Sequence, residues 1–293
     1  MTINHPASAQ KIYQVYFLGG QSNMDGLGSI KDLPAELETL APNIRIFHGN
    51  PAPDDGEIDG RGIWSPLRPG HGFGFSSDGV KNTYSDLFGV ELSFAQRLLE
   101  LQPSINLALI KYSRAATSID SAASGGFGCW EPNYSGTNGV NQFDHFRYAV
   151  KMAIAAEDID GDGISERLIP AGIVWMQGES DAAYSREIAE RYLTNLIDLM
   201  TAIRAAFKQP DLPIVLGQIS DSGQDVDGKV WDHGAIVRAA QEAYAENDKF
   251  ATLVSVTDSL GYSDAAHYSS SGYLRLGRRF AEAILELQEA SRK

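Results

Sequence analysis

The chain has 293 residues, 43% of them hydrophobic, with a formal net charge of −14 and a sequence pI of about 4.8. That is ample apolar material for a buried core, and an α/β protein of this length is commonly a single domain. The acidic balance argues against nucleic acid or an anionic membrane as partner, since both are held by clustered Lys and Arg; a neutral sugar ester is unaffected. A single cysteine, Cys129, rules out an internal disulfide framework. No apolar run approaches the ~20 residues of a membrane span. Residues 1–11, MTINHPASAQK, read as a flexible tail lacking the apolar centre of a signal peptide. The expected compartment is the cytoplasm, or a secreted or periplasmic one if a leader has been removed.

From residue 12 onward short β-branched runs alternate with amphipathic stretches. IYQVYFLGG, residues 12–20, is a strand by its apolar run and ends in two glycines. Residues 50–86 are Gly-rich, dotted with aromatics and read as strandless: a long ordered loop or insertion, either a connection or a substrate-facing lid. GVELSFAQRLLELQ reads as a helix, INLALIKYS as a strand, NQFDHFRYAVKMAIAA as a helix and LIPAGIVWMQG as a strand. A helix over REIAERYLTNLIDLMTAIRAAF, a strand at PIVLGQIS, a helix over HGAIVRAAQEAYAEN and a strand at FATLVSVT follow. The last helix, SSGYLRLGRRFAEAILELQEA, sets Leu276, Phe280, Ile284 and Leu287 on one face. Five near-continuous apolar strands alternating with helices predict an α/β fold: a three-layer α/β/α sandwich around a mainly five-stranded parallel sheet. Residues 12–293 form one domain on this reading. Ligands of such sheets bind beyond the carboxyl ends of the strands, so chemistry is sought just after each one.

After the first strand, Ser22 in GGQSNMDG is either the N-cap of a short helix or a nucleophile whose own N–H helps hold an oxyanion. No phosphate-loop pattern is present, and Asp25 repels an anion. His48, His71, His145 and His233 lack a carboxylate in a strand-end loop, and His5 lies in the tail. His267, after the last strand, has Asp264 three residues upstream, a separation that lets the carboxylate reach Nδ1 and leaves Nε2 free to take a proton. A third polar strand end is WMQGESD, where Gln177 offers a side-chain donor, Glu179 a second carboxylate, and Ser180 and Asp181 read as helix caps. The closest histidine pair, His48 and His71, is far outside ligand spacing and HExxH is absent, which disfavours a zinc-dependent deacetylase. DIDGDGISE opens like a calcium loop with Asp158, Asp160 and Asp162, and Glu166 stands at the ninth position. Ile169 at the twelfth removes the usual bidentate Glu, so a solvated acidic turn is the expectation and a structural calcium the alternative.

In this order GGQSNMDG, FGVELSFAQRL, KYSRAATSI, WMQGESD and DAAHYSSSGYLRLGRRFAEAI resemble the SGNH hydrolase superfamily, and within it the sialate O-acetylesterase and acetylxylan esterase group, carbohydrate esterase family 6. The resemblance runs over nearly the whole chain. It implies a serine esterase that removes O-acetyl groups from an acetylated carbohydrate and needs no cofactor. Ser22 matches the nucleophile, His267 the general base and Asp264 the carboxylate that orients it. By the same resemblance the oxyanion hole comprises Ser22, Gly89 and Gln177. Glu179 is an auxiliary that assists His267 or shapes the site, and Gln21 and Arg114 are substrate-binding candidates. The usual GGT of the third motif is AAT here, Ala115 to Thr117. Alternatives are an esterase or thioesterase of other acyl specificity on the same fold, and a non-catalytic carbohydrate-binding protein.

Overall fold

A computed structural model describes residues 10–41, 43–255 and 259–291. Most of the expected tail, His5 included, lies outside the described residues. The central strand β1 (Ile12–Gly20) has alternate residues directed to opposite helix layers, and both sets are buried from Tyr13 on apart from half-buried Gln14. In chain order follow the single turn α1 (Ser22–Asp25), β2 (Ile44–His48), β3 (Trp64–Pro66), α2 (Glu91–Leu101) and β4 (Asn106–Ser113). Then come α3 (Gln142–Ala155), β5 (Arg167–Met176), α4 (Glu179–Tyr184) and α5 (Arg186–Ala206). The last elements are β6 (Ile214–Gly217), α6 (Gly234–Asn247), β7 (Ala251–Val254) and α7 (Ser270–Ala290).

The sheet order is β7-β6-β5-β1-β4-β2-β3, parallel throughout except for β3. The five strands read from the sequence are all present, and the sheet is two strands wider. Ile44–His48 is a short run, and Trp64–Pro66 pairs with it antiparallel at the edge. The 50–86 segment is therefore not strandless: it supplies that edge strand and a small hairpin pairing Ser76–Ser77 with Asn82–Thr83. The edge strand pairs with residues outside the segment, and the hairpin strands are only two residues each, so neither leaves a local apolar run.

Tyr16, Phe17, Leu18, Leu109, Ile110, Ile173 and Val174 form the sheet's share of the core, with Phe94, Phe146, Leu196, Met200, Phe280 and Ile284 packed on it from the helices. α3 is capped by a reciprocal pair in which Asn141 accepts the Asp144 N–H and Asp144 accepts the Asn141 N–H. Among the described residues no helix is long and apolar enough to cross a membrane. Strand order reverses about β1, with β4 on one side and β5 on the other, so the crevice at its carboxyl end is where a site is expected.

Candidate active site

The turn after β1 depends on Gly20, whose φ is +145°; a Cβ there would stand 1.9 Å from the Met176 carbonyl oxygen. Gln21 N–H then donates to Met176 O at 3.0 Å, which extends the pairing with β5, and the chain turns into α1. Gln21 is the N-cap residue, and Ser22 opens the turn. The Ser22 hydroxyl caps nothing: neither it nor the Ser22 N–H has a protein partner among the described residues. That removes the cap reading and leaves an unengaged hydroxyl beside an unengaged amide.

His267 lies in the loop between β7 and α7. Asp264 Oδ2 and Oδ1 are 2.9 and 3.0 Å from its Nδ1, and Oδ1 also accepts the N–H groups of Ala266 and His267 at 2.8 Å. Burial by itself would raise the Asp264 carboxyl, but the His267 ring and these amides outweigh it and hold it below the usual carboxylate range. Asn23, overlooked in the sequence, joins this loop to the Ser22 turn. Its Nδ2 donates to Ala266 O at 3.1 Å and to Glu179 Oε1 at 2.8 Å, while its Oδ1 accepts the Tyr273 hydroxyl at 2.9 Å. Residues 22 and 267 are thus neighbours of directly bonded residues, although no hydrogen bond joins Ser22 Oγ to His267. Such contacts are often long in unliganded sites. Glu179 is buried, its Oε2 has no partner, and burial holds its carboxyl above the usual range against Asn23 and the charge of His267.

Two residues expected as oxyanion donors are engaged elsewhere. Both Gln177 amide hydrogens are used, by Asp181 Oδ2 at 2.6 Å and Thr117 O at 3.2 Å, and its Oε1 accepts the Tyr192 hydroxyl. Gln177 is a fully buried strut between strand ends. Asp181 also reaches across to the Ile119 and Asp120 amides at 3.0 Å, and the N-cap of α4 is Gly178, so the capping expected of Ser180 and Asp181 is absent. Gly89 N–H donates to Glu91 Oε1 at 2.9 Å. By contrast Gln21 Oε1 accepts the Gly178 and Ser180 amides at 3.3 and 3.4 Å, which fixes its amide orientation and leaves Nε2 without a protein partner.

Beneath the turn lies a buried polar network. Lys111 Nζ donates to Glu91 Oε2 at 2.9 Å, Asp25 O at 2.8 Å and His71 O at 2.7 Å, and Ser113 donates its hydroxyl to the Asp25 carboxylate. Burial pushes the Asp25 carboxyl up to about 6 against the pull of Ser113 and Lys111. His48 and His71, distant in sequence, meet Nδ1 to Nδ1 at 3.2 Å, with Phe75 stacked on His48. No third side chain completes a metal set there among the described residues. Arg114 anchors its N–H on Gly20 O at 3.1 Å; its half-buried guanidinium has no carboxylate partner among the described residues. Ala116, in the AAT departure, has φ +58°, a conformation that costs a non-glycine residue about 1 kcal/mol.

A cavity of about 390 Å³ lined by Ser220, Asp221, Trp231 and Arg238 adjoins the His267 loop, to which Ser222 Oγ is bonded through Ala265 O at 2.8 Å. A larger one of about 630 Å³ lies between α3 and the end of α5 and is lined by no serine or histidine.

The family described as carbohydrate esterase, sialic acid-specific acetylesterase matches residues 12–286. No curated protein matches the chain. Among solved structures, a protein from Arabidopsis thaliana is similar with a TM-score of 0.65 and 21% identity, over 93% of this chain and 98% of that one. A carbohydrate acetylesterase from Xanthomonas citri gives 0.60 and 15% over 94% of this chain and 56% of its own. NanS gives 0.60 and 15% over 97% and 100%. At these identities the likeness is one of fold. The family match spans most of the chain, and with it the chain belongs to the sialic acid-specific acetylesterase family of carbohydrate esterases and is a carboxylic ester hydrolase.

Proposed function

We propose that the protein removes O-acetyl groups from an acetylated carbohydrate by a Ser22–His267–Asp264 relay through an acetyl-enzyme. The observation that carries this reading is the Asp264–His267 pair, bonded at Nδ1 and linked through Asn23 to a serine whose hydroxyl is unengaged. His267 Nε2 takes the Ser22 proton as Oγ attacks the ester carbonyl, and Asp264 stabilises the imidazolium. The oxyanion is held by the Ser22 N–H and Gln21 Nε2, two donors at this edge without a protein partner among the described residues; one such donor contributes about 3 kcal/mol. Gly89 and Gln177, engaged by Glu91 and Asp181, act by fixing the turn's surroundings. His267 then protonates the leaving sugar oxygen, and water, activated by the same imidazole, releases acetate.

Arg114 favours an acidic sugar. Its unpaired guanidinium suits a substrate carboxylate, which pairs with Arg through two parallel hydrogen bonds. The test is acetate release from O-acetylsialic acid and from acetylated xylan, with Ser22→Ala alongside. The expected outcome is higher kcat/KM on the sialate and no turnover in the variant at unchanged Tm. Undiminished release by Ser22→Ala would overturn the mechanism.

A further inference from the structure

At the amino ends of the strands, opposite the esterase site, the connection from α3 to β5 gathers Asp158, Asp160, Asp162 and Glu166. Each offers one carboxylate oxygen, and these oxygens all lie within 4.8 Å of one another. Two ligands on opposite sides of a calcium ion at about 2.4 Å are separated by about that distance. Acidic turns are common, and three of these carboxylates are satisfied by their own loop and by Lys11. The fourth is not. Glu166 is 9% exposed; its Oε2 accepts the Ile159 N–H at 2.7 Å, and its Oε1 is buried without any partner among the described residues. A buried unpaired carboxylate oxygen is costly, and it stands among three further carboxylates.

We infer that this loop is a structural site for a divalent hard cation, calcium, with Glu166 Oε1 as the ligand supplied from the protein interior. The donor set is all oxygen, without His or Cys, which suits Ca²⁺ and not zinc or copper. Among the described residues the four carboxylates face two cationic side chains: Lys11, whose Nζ is 2.6 Å from both Asp160 and Asp162, and Arg45, bonded to Asp160 O at 3.2 Å. Negative charge is in excess with both in place, and a divalent ion replaces the single charge of Lys11 with two. The Lys11 side chain is 42% exposed, so the ion displaces its ammonium into water at little cost. The usual twelfth-position Glu is Ile169, and a site lacking that ligand binds with Kd on the order of 10⁻⁴ M. Occupancy fastens the loop to β1, where Tyr13 donates to Asp160 at 3.0 Å and Lys11 O accepts the Arg167 N–H at 2.9 Å.

The test uses the full chain, stripped with EDTA and desalted, and titrated calorimetrically with CaCl₂ and separately with MgCl₂ while Tm is followed. One calcium per chain is expected, with a Tm rise of about 5 °C at 10 mM and a smaller response to magnesium. Glu166→Gln keeps an acceptor for Ile159 and loses the charged ligand, so calcium affinity falls at least tenfold while Tm without calcium is unchanged or higher. If Glu166→Gln does not fold, Asp162→Asn serves the same comparison. No heat and no Tm shift up to 10 mM would overturn the proposal, leaving Lys11 and Arg45 as the loop's cations. An equal response to magnesium, or an undiminished one in the variant, would overturn it as well. Acetate release plays no part in the readout, so this inference and the esterase reading fail separately.

Discussion

Asp264→Asn isolates the electrostatic part of the catalytic loop from its architecture. Oδ1 accepts two backbone amides at 2.8 Å, and an asparagine oxygen retains both. The other position, 2.9 Å from His267 Nδ1, becomes an N–H donor. Nδ1 must then accept, which drives the imidazole proton to Nε2, the atom that receives the Ser22 proton in the proposed relay. Restoring the productive tautomer sets two donors face to face and forfeits a charge-assisted hydrogen bond, about 3 kcal/mol. Lost stabilisation of the imidazolium adds about 1 kcal/mol, since the Asp264 side chain is 54% exposed and solvent screens it. The sum, about 4 kcal/mol, is a fall in kcat on the order of 10³. Initial rates on p-nitrophenyl acetate, with Tm measured in parallel, give both quantities. A kcat within tenfold of wild type at wild-type Tm would refute the reasoning. The orienting charge would then be that of Glu179, which acts on His267 from the buried side.

Two further outcomes follow from the network beneath the nucleophile. Lys111→Met leaves the fully buried Glu91 carboxylate uncompensated, a loss of about 3–5 kcal/mol and roughly 10 °C in Tm. Adding Glu91→Leu should recover part of that loss, and a double variant no more stable than the single would contradict the ion-pair explanation. Asp25 has its folded carboxyl raised from 3.8 to about 6, so the folded protein holds a proton that the unfolded chain releases. Stability is therefore lost as pH rises from about 4 to about 6, to a total of about 3 kcal/mol. Asp25→Asn removes that loss, and thermal melts should show the variant gaining on wild type between pH 4.5 and pH 7. Parallel profiles would mean that Asp25 is not the source.

Much of the fold was legible because the dominant signals are local. β-branched apolar runs and helical periodicity recovered five of the seven strands and the five long helices. The two strands beyond β4 gave less signal. Ile44–His48 is five residues long, and Trp64–Pro66 is recognisable only through its partner. The AAT departure was visible in the sequence, but its consequence, a left-handed backbone at Ala116, was not.

For the site, reading along the chain identifies which groups are present and at which strand ends they emerge: Ser22 after β1, Gln177 and Glu179 after β5, Asp264 and His267 after β7. The Asp264–His267 bond belongs to that share, since three residues of one loop suffice to make it. What each donor is free to do is set by the packing around it. Gln177 is consumed by Thr117 and Asp181, Gly89 by Glu91, and Asn23 bridges residues 156 and 243 positions away. A hydrogen-bonding group has few valences, and which neighbour takes them depends on chain segments that meet only when the sheet is assembled. Chemistry-bearing residues can be read along the chain; their availability is a property of the packed fold.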